Sequence, residues 1–396
     1  MSWSNPSMMF EVLRKFPGFA RDIIRNRKTG ALRPRMLTYT VTFRCNARCI
    51  MCDSWKMKGK GDLELSDIER IFKQIGKLDA VRLTGGEPFV RDDFADIVSL
   101  TVKHLRPFGI HITTNGFLTD RIVHLCENRS LSTPLQLMIS LDGVQDYHNK
   151  IRGSTQAWNL AFKTLEQIAP RRKKLNIDLV VNQTIVNEEG IEQYRKLRDL
   201  LKPMGVPHQA VMAYGTSATY NLQRELDLAP KQVGEFSTHG GFSQADLQVL
   251  FDEVESDIQK LPFASRVAKQ YYWRGIKQRL LPSTSNQEWL NPECVALHSH
   301  LRIYPNGDIP TCQFNSKTIG NLKETPFQEV WDNSTAKAQR KWVRDCVGCW
   351  AECEVLPNAI YTLDIVRPKK RTIHAVGPVA GQESSRIGGA VCEVGV

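Results

Sequence analysis

The chain has 396 residues, 41% of them hydrophobic and 24% charged, with a net charge of +11. Those proportions exclude a disordered or fibrous chain, and no stretch approaches the roughly 18 apolar residues that a membrane-spanning helix requires. The opening MSWSNPSMMFEVLRKF lacks the pattern of a secretory signal, so a cytoplasmic location is expected, where clustered thiols read as metal ligands rather than disulfides.

Residues 1–36 carry Arg14, Lys15, Arg21, Arg25, Arg27, Lys28, Arg33 and Arg35 against Glu11 and Asp22. Met9, Leu13, Phe16, Ala20 and Ile23 recur at helical spacing, interrupted by Pro17-Gly18. A basic N-terminal helical extension is expected, packed over the domain with a solvated outer face. Peripheral contact with a membrane surface is the other reading.

From residue 37 the chain alternates strand-like and helix-like segments. The expected strands are 37–43, 80–84, 109–114, 135–141, 177–185 and 208–214. Amphipathic helices lie between them, the first opened by a Ser66–Glu69 capping box, with Ile68, Ile71, Phe72 and Ile75 on one face. Six such units imply a parallel sheet with right-handed crossovers, open or closed, whose chemistry gathers at the C-terminal strand ends. The informative residues fall there: Cys45, Cys49 and Cys52 after the first strand, and Gly85-Gly86-Glu87-Pro88 after the second. Thr114-Asn115-Gly116 follows the third strand, and Ser140-Leu141-Asp142-Gly143 ends the fourth. Positive-φ turns account for the glycines but not for so many polar groups.

Residues 221–293 read as a helical bridge containing Tyr271, Tyr272 and Trp273, which line a groove or pack. Cys294, Cys312, Cys346, Cys349 and Cys353 then fall within 294–360, and a mobile, Gly/Ser-rich tail with Cys392 is expected over 361–396. Cys126, in a helix, is expected in the core. Arg171-Arg172-Lys173-Lys174 reads as a solvated turn that could also dock an acidic electron donor. No basic-aromatic pattern of a nucleic-acid module is present.

Cys45-x3-Cys49-x2-Cys52 resembles the signature of the radical S-adenosylmethionine (SAM) superfamily. Three thiolates leave one iron of a four-iron four-sulfur cluster without a protein ligand. In that family S-adenosylmethionine binds this iron and is reductively cleaved to a 5′-deoxyadenosyl radical, which abstracts hydrogen from a substrate. The resemblance implies an α/β fold, a partial (β/α)6 radical SAM barrel over about 37–220. It assigns Gly85, Gly86, Glu87 and Pro88 to the methionyl amine, and matches Ser140 and Asp142 to the element after strand four. Arg152 is assigned to the methionyl carboxylate and Asn187 to the ribose. Met51 stands where an aromatic residue usually faces adenine.

The later cysteines resemble the SPASM and twitch extensions of one branch, a small Cys-rich domain with auxiliary iron–sulfur clusters. Five cysteines in place of seven suggest one cluster, held by Cys294, Cys312, Cys346 and Cys349. Cys353 either replaces one of these or stays free as a hydrogen donor. A zinc knuckle is the duller alternative, and His298 and His300 are expected to be structural. The resemblance implies a flavodoxin- or ferredoxin-type electron donor and an organic substrate: a small molecule, lipid, tetrapyrrole or peptide. With residues 1–36 alone ahead of the barrel, a peptide bound through its leader is disfavoured. The competing function class is a non-catalytic iron–sulfur or zinc protein.

Overall fold

The computed structural model describes residues 33–57, 61–213, 240–281, 289–290, 292–346, 348–365 and 370–371. The expectations for residues 1–32, for Cys392 and for the tail beyond residue 371 lie outside these. Six parallel strands, β1 (Met36–Thr40), β2 (Ala80–Thr84), β3 (Gly109–Thr114), β4 (Leu135–Ser140), β5 (Ile177–Ile185) and β6 (His208–Met212), follow in chain order. Between them run α1 (Leu65–Ile75), α2 (Phe94–Leu100), α3 (Thr119–Asn128), α4 (Gln145–Arg152), α5 (Ala157–Ile168) and α6 (Glu189–Leu201). Beyond β6 come α7 (Gln244–Gln259), α8 (Phe263–Leu280), β7 (Trp289–Leu290), β8 (His300–Ile303), β9 (Asp308–Pro310) and β10 (Thr318–Asn321). The chain continues through α9 (Phe327–Asp332), α10 (Ser334–Asp345), α11 (Glu352–Tyr361) and β11 (Lys370–Arg371).

Side chains alternate across a strand, so each strand has one face toward the helices and one toward the inside. Leu37, Leu83, Ile112, Leu137 and Leu179 pack outward with Ile68, Phe72, Ile97, Ile122 and Leu165 in one buried core. The inner face is polar. Thr38, Arg82, His111, Gln136 and Asp178 stand side by side in register.

Three strands match their expected bounds. The first, fourth and last end early; beyond Thr40 the chain leaves the ladder to form the cysteine loop, with Val41 N–H still donating to Thr84 O at 2.8 Å. The capping box is not formed. Residue Glu64 precedes the helix without a side-chain cap, and Glu69 is taken up by Lys73, Lys103 and His104. The short α4 was missed because its QDYHNKIR sequence is strongly polar.

The C-terminal region also adds to the sheet. It is not simply appended to the barrel: β8 pairs in parallel with β1, giving one seven-stranded sheet in the order β6-β5-β4-β3-β2-β1-β8. Arg302 thereby joins the inner row beside Thr38. Among the described residues no helix is long and apolar enough to cross a membrane.

Candidate functional site

The loop after β1 is fastened to the end of β2 and to the last turn of α4. Gly86 and Glu87 donate backbone N–H groups to Thr42 O and Arg44 O at 2.8 and 2.9 Å, while Arg48 and Ile50 donate to Arg152 O and Ile151 O. A Cβ at Gly85 would lie 2.4 Å from Thr42 O, and one at Gly86 2.3 Å from Arg44 O. Both glycines are therefore required by the close approach of β2's end to the cysteine loop. Pro88 opens a buried 3₁₀ turn directly after them.

Each thiol of the loop faces an N–H group. Ala47 N–H donates to Cys45 Sγ at 3.4 Å, Ser54 N–H to Cys52 Sγ at 3.4 Å, and Arg152 Nη1 to Cys49 Sγ at 3.6 Å. Burial pushes Cys45 up to about 12 and Cys52 up to about 11, and it raises Cys49 despite the nearby Arg152 guanidinium. Desolvated thiols with N–H donors aimed at sulfur are a donor set that fits an iron–sulfur cluster and its tuning hydrogen bonds.

The polar strand ends are cross-linked to one another. Glu87 is fully buried and accepts from Phe89 N–H, Thr114 Oγ1 and Asn115 N–H at 3.2, 2.8 and 2.7 Å. Burial outweighs these donors and pushes its carboxyl up to about 7. Its role is to tie β2 to β3. Asp142 is likewise buried, and receives Arg152 Nε and Nη2 at 2.6 and 2.9 Å and Thr184 N–H at 3.0 Å.

The Arg152 fork thus meets a carboxylate of this chain, while its Nη1 reaches Cys49 Sγ in the cysteine loop. Ser140 stands at the end of β4, opposite Asn182. The Oδ1 of Asn187 is occupied by Tyr147 OH and Gly190 N–H at the start of α6. Met51 packs against Tyr147, Ile151 and Val186. The Asp142–Arg152 pair was not anticipated, although the two share a strand end and the following helix.

A second group of thiols gathers behind β8. Cys294, Cys312, Cys346 and Cys349 are all raised by burial, and Cys294, Cys312 and Cys349 also by the charges of neighbouring cysteines in the group. Asn315 N–H donates to Cys312 Sγ at 3.3 Å, and Gly348 N–H to Cys346 Sγ at 3.4 Å. Cys353 stands apart. Its thiol donates to Gln313 Oε1, and its charged neighbours are Glu354, Arg302, Arg82 and Glu352. Among the described residues no group of three or more His, Cys, Asp or Glu side chains is placed to hold a single metal ion.

A buried polar cluster links β1 to the start of α11. His300 Nε2 meets Thr38 Oγ1 at 2.8 Å on β1, while its Nδ1 and Arg302 Nη2 reach Glu354 at 3.2 and 2.5 Å. Burial opposes the Glu354 charge, yet Arg302 and His300 hold its carboxyl down to about 2. The ring of His298 contacts Ala296 O. Both histidines are structural. Tyr271 stacks on Trp350, whose Nε1 donates to Tyr272 O, and Trp273 packs edge-on to Phe251, so these aromatics are packing rather than groove. Cys126 is fully buried in the core.

Arg171 pairs with Glu127, and Arg172 bonds Ala169 O and Gly205 O. This basic run precedes β5 and so lies at the opposite end of the strands from the cysteine loop. At about 3.3 Å per residue the strand separates the two by roughly 25–30 Å. The run is therefore badly placed to receive an electron donor. Exposed Trp55 lies closer, flanked by Arg48 and Lys56 with their charges 5.9 and 5.1 Å from its ring centre.

Residues 39–201 match the family described as the Radical SAM superfamily, and residues 294–353 match SPASM, an iron-sulfur cluster-binding domain. An AdoMet-dependent heme synthase from Methanosarcina barkeri is 23% identical over 338 residues, covering 81% of this chain and 88% of that protein. A probable GTP 3',8-cyclase from Saccharolobus solfataricus is 27% identical over 298 residues, covering 72% and 84%. Among solved structures, SuiB of Streptococcus suis bound to S-adenosylmethionine has a TM-score of 0.55 at 17% identity, covering 86% of this chain and 78% of that one. The anSMEcpe structure with bound AdoMet gives 0.53 at 18%, covering 84% and 96%. At such identities the structural likeness speaks for the fold.

The matched domains make the protein an enzyme whose cofactors are a four-iron four-sulfur cluster, S-adenosylmethionine and an auxiliary iron–sulfur cluster. The chain belongs to the radical SAM superfamily, in the branch that carries a C-terminal SPASM domain.

Proposed function

We propose that Cys45, Cys49 and Cys52 hold the first cluster, that Cys294, Cys312, Cys346 and Cys349 hold the auxiliary one, and that the enzyme modifies an organic substrate inside the barrel. When bound, the first cluster and S-adenosylmethionine supply reductive cleavage to a 5′-deoxyadenosyl radical, which takes a hydrogen atom from the substrate. The observation that carries this reading is one continuous sheet with three thiols at the end of β1 and four more behind the strand paired to it. Three donors on one side and four on the other match an open and a closed coordination sphere.

The chain's own residues would position and protect. The Asp142–Arg152 pair fixes the side of the loop that carries Cys49, and the Glu87 hydrogen bonds fix the ends of β2 and β3. The polar inner face suits a polar molecule, and the buried core around it excludes water from the reacting centre. Exposed Ile50 and Trp55, with Arg48 and Lys56 beside them, form a basic-rimmed apolar patch over the cysteine loop that would receive an acidic flavodoxin- or ferredoxin-type donor. The Cys353 thiol would stay outside the cluster and face the barrel interior, a position from which it could return hydrogen to a substrate radical.

A small polar molecule or tetrapyrrole is the favoured substrate, in keeping with the names of the heme synthase and cyclase relatives. A peptide is the second reading, since the SuiB and anSMEcpe structures include complexes with peptides. Anaerobic reconstitution tests the reaction: about eight iron per chain and 5′-deoxyadenosine formed with dithionite are expected, two cubanes being bound. Persistent zinc without cleavage of S-adenosylmethionine would end this reading.

A further inference from the structure

We propose that Arg82 and Thr40 form a seat on the inner face of the barrel for a carboxylate group of the substrate. The inference deepens the function proposed above and rests on it for its role. It starts from the register of the sheet. Arg302, Thr38, Arg82, His111, Gln136 and Asp178 form one row across the inner face. Thr40 is paired with Thr84, one row nearer the mouth, so it lies diagonally above Arg82 on the adjacent strand.

Most of this polar surface satisfies itself. Arg302 is paired with Glu354. From the side of α8, Lys269 is paired with Glu352 at 2.7 Å, and Glu352 also accepts from Gln209 of β6 at 2.6 Å. His111 shares hydrogen bonds with Gln136 and Thr113, and Gln136 donates to Asp178. Burial, then the Arg82 charge, keep the His111 ring neutral.

Not every donor on this face is satisfied. Arg82 Nε and Thr40 Oγ1 are both buried without a hydrogen-bond partner, and Thr40 is wholly inaccessible. Among the described residues Arg82 is paired with no carboxylate, while the carboxylates closest to its row are already engaged. Arg82 is half-buried with its Nε shut off from water and unbonded, and Glu352, whose carboxyl the Arg82 charge helps to hold down, is already paired with Lys269, so an anion joining Arg82 in the working complex would satisfy that donor.

The geometry selects the anion. A planar guanidinium offers two parallel N–H donors that match the two oxygens of a carboxylate, and the Thr40 hydroxyl supplies a third donor beside them. The row lies deeper in the barrel than Gly85 and Gly86, since Arg82 precedes them by three and four residues on a strand running toward the mouth. A substrate anchored here by its acid group would direct its remaining length toward the cysteine loop. The seat would thus determine which carbon is presented there, by distance from the anchor.

Thermal unfolding of the full-length, anaerobically reconstituted protein, saturated with S-adenosylmethionine, tests the seat with sodium acetate as probe. Sodium chloride at equal ionic strength is the control, and sodium phosphate the competing oxyanion. Acetate is expected to raise the wild-type midpoint by about 2 °C near saturation, as mass action on a native-state site requires. Arg82→Gln should abolish this shift while raising the midpoint without acetate, because a purely structural arginine would lower it. Thr40→Val should at least halve the acetate shift, and it carries the test alone if Arg82→Gln does not fold. Equal acetate shifts in wild type and variants, or no shift in wild type, would overturn the proposal. A response to phosphate but not acetate would overturn it as well. The readout needs no turnover, so it stands or falls separately from the 5′-deoxyadenosine assay that tests the reaction.

Discussion

The two thiol groups are built in opposite ways. Cys45, Cys49 and Cys52 come from eight consecutive residues, on a loop that leaves β1 and is fastened by backbone hydrogen bonds to the end of β2 and the last turn of α4. Cys294, Cys312, Cys346 and Cys349 come from a stretch spanning residues 294–349 and are gathered by β8, the β9–β10 hairpin and the ends of α10 and α11. Their surroundings differ in charge too. The first group borders the Arg152 guanidinium, whereas Glu354 lies beside the second. A short loop can present three ligands and still leave one side open to a small molecule. A closed set of four needs ligands from several directions, and so needs a fold around it.

The largest expected effects separate the two groups. Cys45→Ala should halve the iron content, from about eight to about four per chain on two-cubane stoichiometry, and abolish 5′-deoxyadenosine formation. Cys346→Ala should also leave about four iron, yet retain uncoupled formation of 5′-deoxyadenosine while product is lost. If both variants lost cleavage equally, with the first cluster of Cys346→Ala intact by electron paramagnetic resonance, the division of labour between the groups would be wrong.

Smaller effects sharpen the contrast. Asp142→Asn leaves the buried Arg152 charge uncompensated and should cost about 3–5 kcal/mol in denaturant unfolding of the cluster-free protein. Glu87→Gln turns one accepting oxygen into a donor against Asn115 N–H or Thr114, and should cost about 1–3 kcal/mol in the same measurement. Cys353→Ser should change stability least, by under about 1 kcal/mol, and leave iron at about eight per chain. A fall in iron for that variant would return Cys353 to the ligand set.

Local chemistry was legible before the structure and long-range chemistry was not. The strands 80–84, 109–114 and 177–185 stood out because apolar residues and turn signals bound them closely. The Ser66–Glu69 box failed because a capping pattern competes with every other partner within reach, and Lys73, Lys103 and His104 took Glu69 instead. The Arg152 fork suits a carboxylate, and which carboxylate of this chain it would meet, Asp142, depended on the path of the chain between β4 and the end of α4. The alternation of Thr38, Arg82, His111, Gln136 and Asp178 with apolar neighbours was present in the chain as a period of two. Its meaning depended on knowing that those positions align.

By itself the amino-acid sequence determined the three-thiol loop, the order of strands and helices, and the set of later cysteines, because each depends on spacing within a few residues or on one periodic face. The tertiary structure alone decided that β8 would extend the barrel sheet, that the Cys353 thiol would meet Gln313, and that Arg82 Nε and Thr40 Oγ1 would be left without partners. Those outcomes turn on register between strands distant in the chain, and on which of several competing charges comes within reach of another.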